Sequence, residues 1–195
     1  MGDPLGTLVQ TVLSQNTSDL NSERAYRSLR TALPTWSSVA RAAPRRVESA
    51  IRHGGLARTK SRRIVRLLRE LERREGRLDL RPLRRLCPRE AERRLLALPG
   101  VGPKTRACVL LFGCGHPAFP VDTHVLRVSH RLGVVPPRAS AERVRAILEP
   151  AIPPGRALDL HLNLIRLGRR VCRPRRPRCA ACPLRRLCRY AEKAA

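Results

Sequence analysis

Aromatic residues are scarce: Tyr26, Trp36, Phe112, Phe119 and Tyr190 make up 3% of the 195 residues. Five rings cannot readily build a platform for successive single-stranded bases, which disfavours single-strand binding by stacking. Long apolar runs are missing too. No stretch approaches the roughly 20 apolar residues of a membrane helix, and Met1-Gly2-Asp3-Pro4 lacks the charged-then-apolar pattern of a secretion signal. These absences predict a soluble, intracellular protein with no membrane partner. Acidic residues are few, 15 against 41 Lys and Arg, for a formal charge of +26. Lysine itself is rare: Lys60, Lys104 and Lys193 stand against 38 arginines, so each lysine carries information.

The apolar fraction, 42%, is ordinary for a packed core. The positive charge recurs from Arg24 to Arg189 instead of sitting in one tail, which implies a polyanion as partner. Anionic lipid would satisfy the same charge, but the arginines lie among helical apolar patterns without the exposed aromatic face of a membrane-surface helix. Duplex nucleic acid is the better match.

Apolar residues recur at helical spacing nearly everywhere, as in Leu5, Leu8, Val9, Val12 and Leu13, and again in Ile64, Leu67, Leu68 and Leu71. The fold class predicted is all-α. Ser18 or Asp19 opens a helix ending near Pro34, Pro44 opens one ending at Gly54-Gly55, Gly76 closes a strongly charged helix, and Pro88 opens another up to Leu98. Further helices are predicted over about 103–112, 122–132, 140–149 and 156–171. Beyond Val171 the periodicity stops in a segment rich in Cys, Pro and Arg, with no helix longer than two turns expected before Tyr190.

Cys172, Cys179, Cys182 and Cys188 fall within 17 residues as C-x6-C-x2-C-x5-C. Such spacing predicts one shared metal centre; four thiolates suit either zinc or an iron–sulfur cluster, and spacing does not choose. Disulfides are disfavoured in a reducing compartment. Cys87, Cys108 and Cys114 lie in helix-patterned segments and are expected to be buried small residues. Arg173, Arg175, Arg176 and Arg178 form a basic knuckle inside the loop, either a phosphate grip or a solvated charge run.

Leu98-Pro99-Gly100-Val101-Gly102-Pro103-Lys104-Thr105 joins two helices through a turn with glycines two apart. Backbone N–H groups of Gly100, Val101 and Gly102 can there approach a phosphate unobstructed. A lone G-x-G is weak evidence, whereas the full string opening a helix is specific. Lys104, in the first helical turn among arginines, is expected to serve as a nucleophile, or else to contact phosphate as a point charge.

L-P-G-V-G-x-K at 98–104, V-D-T-H-x-x-R-V at 121–128, the four-cysteine spacing at 172–188 and Leu-Ser-Gln-Asn-Thr-Ser-Asp at 13–19 together resemble the endonuclease III family of helix-hairpin-helix DNA glycosylases, over nearly the whole chain. The resemblance implies a two-lobed fold: residues 1–116 a six-helix lobe with the hairpin, residues 117–195 a lobe ending in a four-iron, four-sulfur (4Fe-4S) cluster loop. It implies a bifunctional DNA glycosylase and AP lyase, acting as a monomer on oxidised pyrimidines in duplex DNA, in the cytoplasm and on the nucleoid of a bacterial or archaeal cell. Lys104 would attack C1′ of a flipped nucleotide, and Asp122 would stabilise the cationic sugar, although Asp122 alone reads equally well as a helix N-cap. Both would stand at the lobe junction, supported by His124 and Arg127. Gln15, Asn16 and Leu56 would enter the duplex and Thr105 would contact DNA, although Leu56 also reads as a core leucine. The chain departs from the family pattern in starting near the second helix, in Leu96 where an acidic or polar residue is usual, and in Pro103 where a basic one is common. A monofunctional glycosylase of the same superfamily and a non-catalytic damaged-DNA-binding protein are the alternatives.

Overall fold

A computed structural model describes residues 2–193. Among these no strand is present, and the chain divides into two units that meet in sequence between His116 and Pro117.

The first unit is built around α1 (Pro4–Ser14), whose Leu5, Leu8, Val9, Val12 and Leu13 are all buried. Each such leucine contributes about 2 kcal/mol of burial. Asp3 caps the helix, its carboxylate accepting from the N–H groups of Leu5 and Gly6 at 3.1 and 3.0 Å. Helix α2 (Asp19–Ala32) starts at the Ser18 cap. The short α3 (Trp36–Arg41) did not stand out in the sequence; a reciprocal Thr35–Ser38 capping box starts it. Helix α4 (Pro44–Ala50) ends sooner than the pattern suggested, and a tight turn at Arg52–Gly54 leads to α5 (Ala57–Glu75). Gly76, in the left-handed conformation at φ 66°, stops α5 as expected.

Helix α6 (Pro88–Leu96) precedes the hairpin and α7 (Pro103–Cys108) follows it. The helix expected to run on from α7 instead widens into a π-helical segment at Val109–Cys114. There Gly113 lies against the start of α1: a Cβ on it would stand 2.8 Å from Pro4 Cα. That approach is a tertiary constraint with no mark in local periodicity.

The second unit holds α8 (Thr123–Leu132), α9 (Ala141–Leu148) and α10 (Ala157–Arg170), packed over Phe119, Val121, Val125, Val128, Val144 and Leu164. The cysteine loop follows, with one-turn helices at Cys179–Ala181 and Arg185–Leu187 before α11 (Arg189–Lys193).

Candidate active site

The hairpin between α6 and α7 is anchored by Leu98 and Val101, both buried, with the Val101 N–H donating to the Leu98 carbonyl at 3.3 Å. Val101 is thus the hairpin's anchor, its N–H already used within the turn. Gly100 adopts φ 76°, and the Arg63 side chain lies where its Cβ would be, with Cδ at 3.2 Å. A Cβ on Gly102 would meet nothing within 4 Å, so the backbone there is open to an incoming group. Lys104 is exposed in the first turn of α7.

Thr105 is buried, against the expectation of a surface contact, and its hydroxyl accepts from Gln15 Nε2 at 3.3 Å. The other end of the Gln15 amide accepts from Arg63 Nη1 at 2.6 Å. Gln15 therefore ties the end of α1 to the start of α7 and to α5, and the next residue, Asn16, is the exposed one. Asn16 has φ 52° and Leu56 has φ 48°. Leucine in the left-handed region costs about 1–2 kcal/mol, and this one is 60% exposed, so it is no core leucine. Gly55 before it, at φ 60° and ψ 150°, occupies a region essentially reserved for glycine.

Two loops of the first unit are held by one amine. Lys60 Nζ, on a residue only 4% exposed, donates to the Leu13 carbonyl at 2.6 Å, the Gly54 carbonyl at 2.7 Å and Thr17 Oγ1 at 2.5 Å. Burial pushes its pKa below the usual lysine value.

In the second unit Asp122 is the N-cap of α8: its Oδ1 accepts from the His124 N–H at 2.9 Å and the Val125 N–H at 2.8 Å. Its Oδ2 has no hydrogen-bond partner among the described residues. Arg127 donates to His124 Nδ1 at 3.1 Å, to the Gly168 carbonyl at 2.8 Å and to the Cys172 carbonyl at 3.0 Å. A guanidinium can only donate, so Nδ1 accepts and the ring proton sits on Nε2. Gly168, in the interior of α10, is there because a Cβ would stand 2.8 Å from His124 Cβ.

Cys172, Cys179, Cys182 and Cys188 line one small pocket, walled also by Arg131 and Pro177. No three His, Cys, Asp or Glu side chains among the described residues close to the spacing a single metal ion needs. Arg131 braces the loop. Its Nη1 donates to Cys172 Sγ at 3.4 Å and to the Arg173 carbonyl at 2.6 Å, its Nη2 donates to the Pro174 carbonyl at 2.9 Å, and its guanidinium stacks 4.6 Å from the Tyr190 ring centre. Arg173, Arg175, Arg176 and Arg178 are exposed. Of the remaining cysteines, Cys108 and Cys114 are buried as expected, whereas Cys87 is exposed. Cys87 is the N-cap of α6, outside the helix's packed face.

Residues 9–154 match the model of the HhH-GPD superfamily of base excision DNA repair proteins. An endonuclease III of Thermotoga maritima is 37% identical over 189 residues, 96% of this chain and 84% of the relative. The chain belongs to the endonuclease III family. A putative DNA glycosylase of Arabidopsis thaliana is 42% identical over 165 residues, 85% of this chain but 56% of the plant protein, so the chain spans a little over half of that relative's length. Among solved structures, a non-covalent endonuclease III–DNA complex aligns with a TM-score of 0.85 at 32% identity, covering all of this chain and 86% of that one. The all-α helix-hairpin-helix fold is accordingly that of the endonuclease III family.

Within this family member, sequence reasoning missed Lys60, Arg63 and Arg131. Two had a readable signal: Lys60 is one of three lysines among 38 arginines, and Arg131 follows Arg127 by one helical turn ahead of the cysteine loop. Arg63 had none, because its partners Gln15 and Gly100 are distant in sequence.

Proposed function

We propose that this chain is a bifunctional DNA glycosylase and AP lyase that removes oxidised pyrimidines from duplex DNA and cuts the strand by β-elimination. The observation that carries this reading is the exposed Lys104 placed directly after a glycine turn whose backbone is open at Gly102. The turn grips a phosphate, and the amine beside it meets the sugar.

The Lys104 amine forms a bond to C1′ of the damaged nucleotide as the C1′–N bond to the base breaks, and the base leaves with that electron pair. The amine loses a proton and the sugar ring opens to a Schiff base. Loss of a C2′ proton then expels the 3′-phosphate by breaking the C3′–O bond, so no water is consumed in cutting the strand. Asp122 serves the charged sugar. Its Oδ1 is fixed by two N–H groups, and Oδ2 is available to stabilise positive charge at C1′ and accept the amine's proton. Arg127 and Gly168 hold the first turn of α8, keeping the Asp122 cap in place.

Asn16 and Leu56 fill the gap left by the flipped nucleotide. A strained, exposed leucine is a costly surface choice that a role inside the duplex accounts for. The basic knuckle at 173–178 contacts phosphates, and Cys172, Cys179, Cys182 and Cys188 would hold a 4Fe-4S cluster that fixes its loop. The donor set supports this, being four thiols around one pocket with a guanidinium hydrogen-bonded to one sulfur. When bound, the cluster supplies rigidity to the loop. Residues up to 116 act as the hairpin lobe and those from 117 as the cluster lobe, in a monomer working on chromosomal DNA in the cytoplasm.

Borohydride trapping tests the reading. Covalent adducts are expected on duplexes bearing thymine glycol and on duplexes bearing an abasic site. Adducts on the abasic duplex alone would leave a lyase without this base specificity, and none on either would overturn the proposal.

A further inference from the structure

Lys60 is a cation buried without a carboxylate partner among the described residues, and all three of its N–H donors are used. Its acceptors come from three separate stretches: the last turn of α1 at Leu13, the α1–α2 loop at Thr17 and the turn before α5 at Gly54. Thr17 Oγ1 in turn donates to the same Gly54 carbonyl at 2.5 Å, which closes a triangle of amine, hydroxyl and carbonyl. Burying a charge in this way is a poor route to stability, because an apolar side chain of similar volume commonly does as well or better. A positional role explains its presence better.

The backbone that Lys60 grips flanks the two strained residues. Asn16 lies between Leu13 and Thr17, and Leu56 lies two residues beyond Gly54; both sit in the left-handed region. Left-handed backbone at non-glycine residues persists only where the surroundings over-determine it, and three short bonds from one ammonium on both loops do so.

We infer that Lys60 is a positioning residue that locks the Asn16 and Leu56 loops into the shape that enters the duplex, coupling the two insertions to each other. The inference rests on the reading that Leu56 fills the gap left by a flipped nucleotide. It gives Lys60 no contact with DNA and no part in the bond-breaking steps, which separates it from Lys104.

Insertion matters most when a stacked base must be extruded and least at an abasic site, where no base is stacked. Lys60→Met, Leu56→Ala and the double variant are compared with the parent in single-turnover excision of thymine glycol and in elimination at a preformed abasic site. Thr17→Val, which removes the hydroxyl corner of the triangle, is the second probe should Lys60→Met not fold. Lys60→Met and Thr17→Val are expected to slow excision about 10-fold or more while elimination changes far less, and the double variant is expected to be no slower than the worse single one. General destabilisation would lower both reactions together and would not produce that non-additivity. Equal loss in both reactions, or effects of Lys60→Met and Leu56→Ala that multiply, would overturn the inference. Normal excision by Lys60→Met and Thr17→Val beside slow excision by Leu56→Ala overturns it alone. Normal excision by Leu56→Ala overturns the insertion reading and the inference with it.

Discussion

Arg131 holds two of the four loop cysteines at once: its guanidinium donates to Cys172 Sγ at 3.4 Å, and its backbone carbonyl accepts from Cys188 Sγ at 3.3 Å. A helix residue 41 positions before Cys172 and 57 before Cys188 thereby links both ends of the four-cysteine segment. Were the four cysteines to hold the proposed cluster as thiolates, a positive charge hydrogen-bonded to one of them would lower the net charge of the site and fix that ligand's direction.

Arg131→Leu is therefore expected to lose metal. Partners that orient ligands typically contribute 10- to 100-fold in metal affinity, so the purified variant should carry less iron per chain and a weaker brown absorption than the parent. Iron analysis beside the visible spectrum checks this. A variant with full iron content removes Arg131 from the site, whereas a parent protein that is colourless and carries zinc removes the cluster.

Lys104→Gln is expected to abolish borohydride-trappable adducts and to lower strand cleavage by about 10³-fold or more, the scale seen when a nucleophile is removed. Exposed at the start of α7, the side chain supports no packing, so the fold and the affinity for an abasic duplex should change little. A gel-shift titration next to the trapping assay separates the outcomes. Residual cleavage at the parental rate would hand the chemistry to another amine, with Lys104 reduced to a phosphate contact.

Asp122 combines a cap with a proposed catalytic role, and two substitutions separate them. Asparagine caps helices as well as aspartate does, so Asp122→Asn should keep the two bonds to the His124 and Val125 N–H groups and the thermal midpoint, yet slow base removal by roughly 10²-fold or more through loss of the carboxylate charge. Asp122→Ala should slow it similarly and also lose about 1 kcal/mol of capping, a fall in Tm of about 2–4 °C. Equal rates for the parent and Asp122→Asn would leave Asp122 as a cap and nothing more.

Much of the fold was legible because its signals are local. Ser18, Ser140 and Asp122 cap where the sequence places them, Gly76 stops α5, and the apolar spacing of α1 and α5 marks their buried faces. What escaped depends on contacts between distant segments. In the π-helical stretch after α7 Gly113 meets Pro4, and the buried Thr105 meets Gln15, ninety positions earlier. In the sequence, Lys104 and Asp122 are singled out by the motifs that resemble the endonuclease III family; residue type and position alone leave a phosphate contact open for the one and a helix cap for the other. The devices that hold the loops, Lys60, Arg63 and Arg131, could not be assigned partners there, since each partner is a distant carbonyl, amide, thiol or ring.

The buried thiol of Cys114 gives a final expectation that concerns pH. Cys114 closes the π-helical segment, and burial pushes its pKa up to about 11, with the nearby Arg84 charge opposing only in part. In the unfolded chain the same thiol ionises near its ordinary value, about 8.5, so above that pH the unfolded state binds fewer protons than the folded one. Stability from this group is full below the unfolded value and is lost as pH rises toward about 11. Urea unfolding at rising pH should therefore show a steeper alkaline decline for the parent than for Cys114→Ala, whose curve lacks this contribution. In the native protein at neutral pH, iodoacetamide should label the exposed Cys87 well before Cys114. Labelling of Cys114 at the rate of Cys87, together with identical alkaline slopes, would mean that the π-helical segment opens far more readily than its packing against α1 allows.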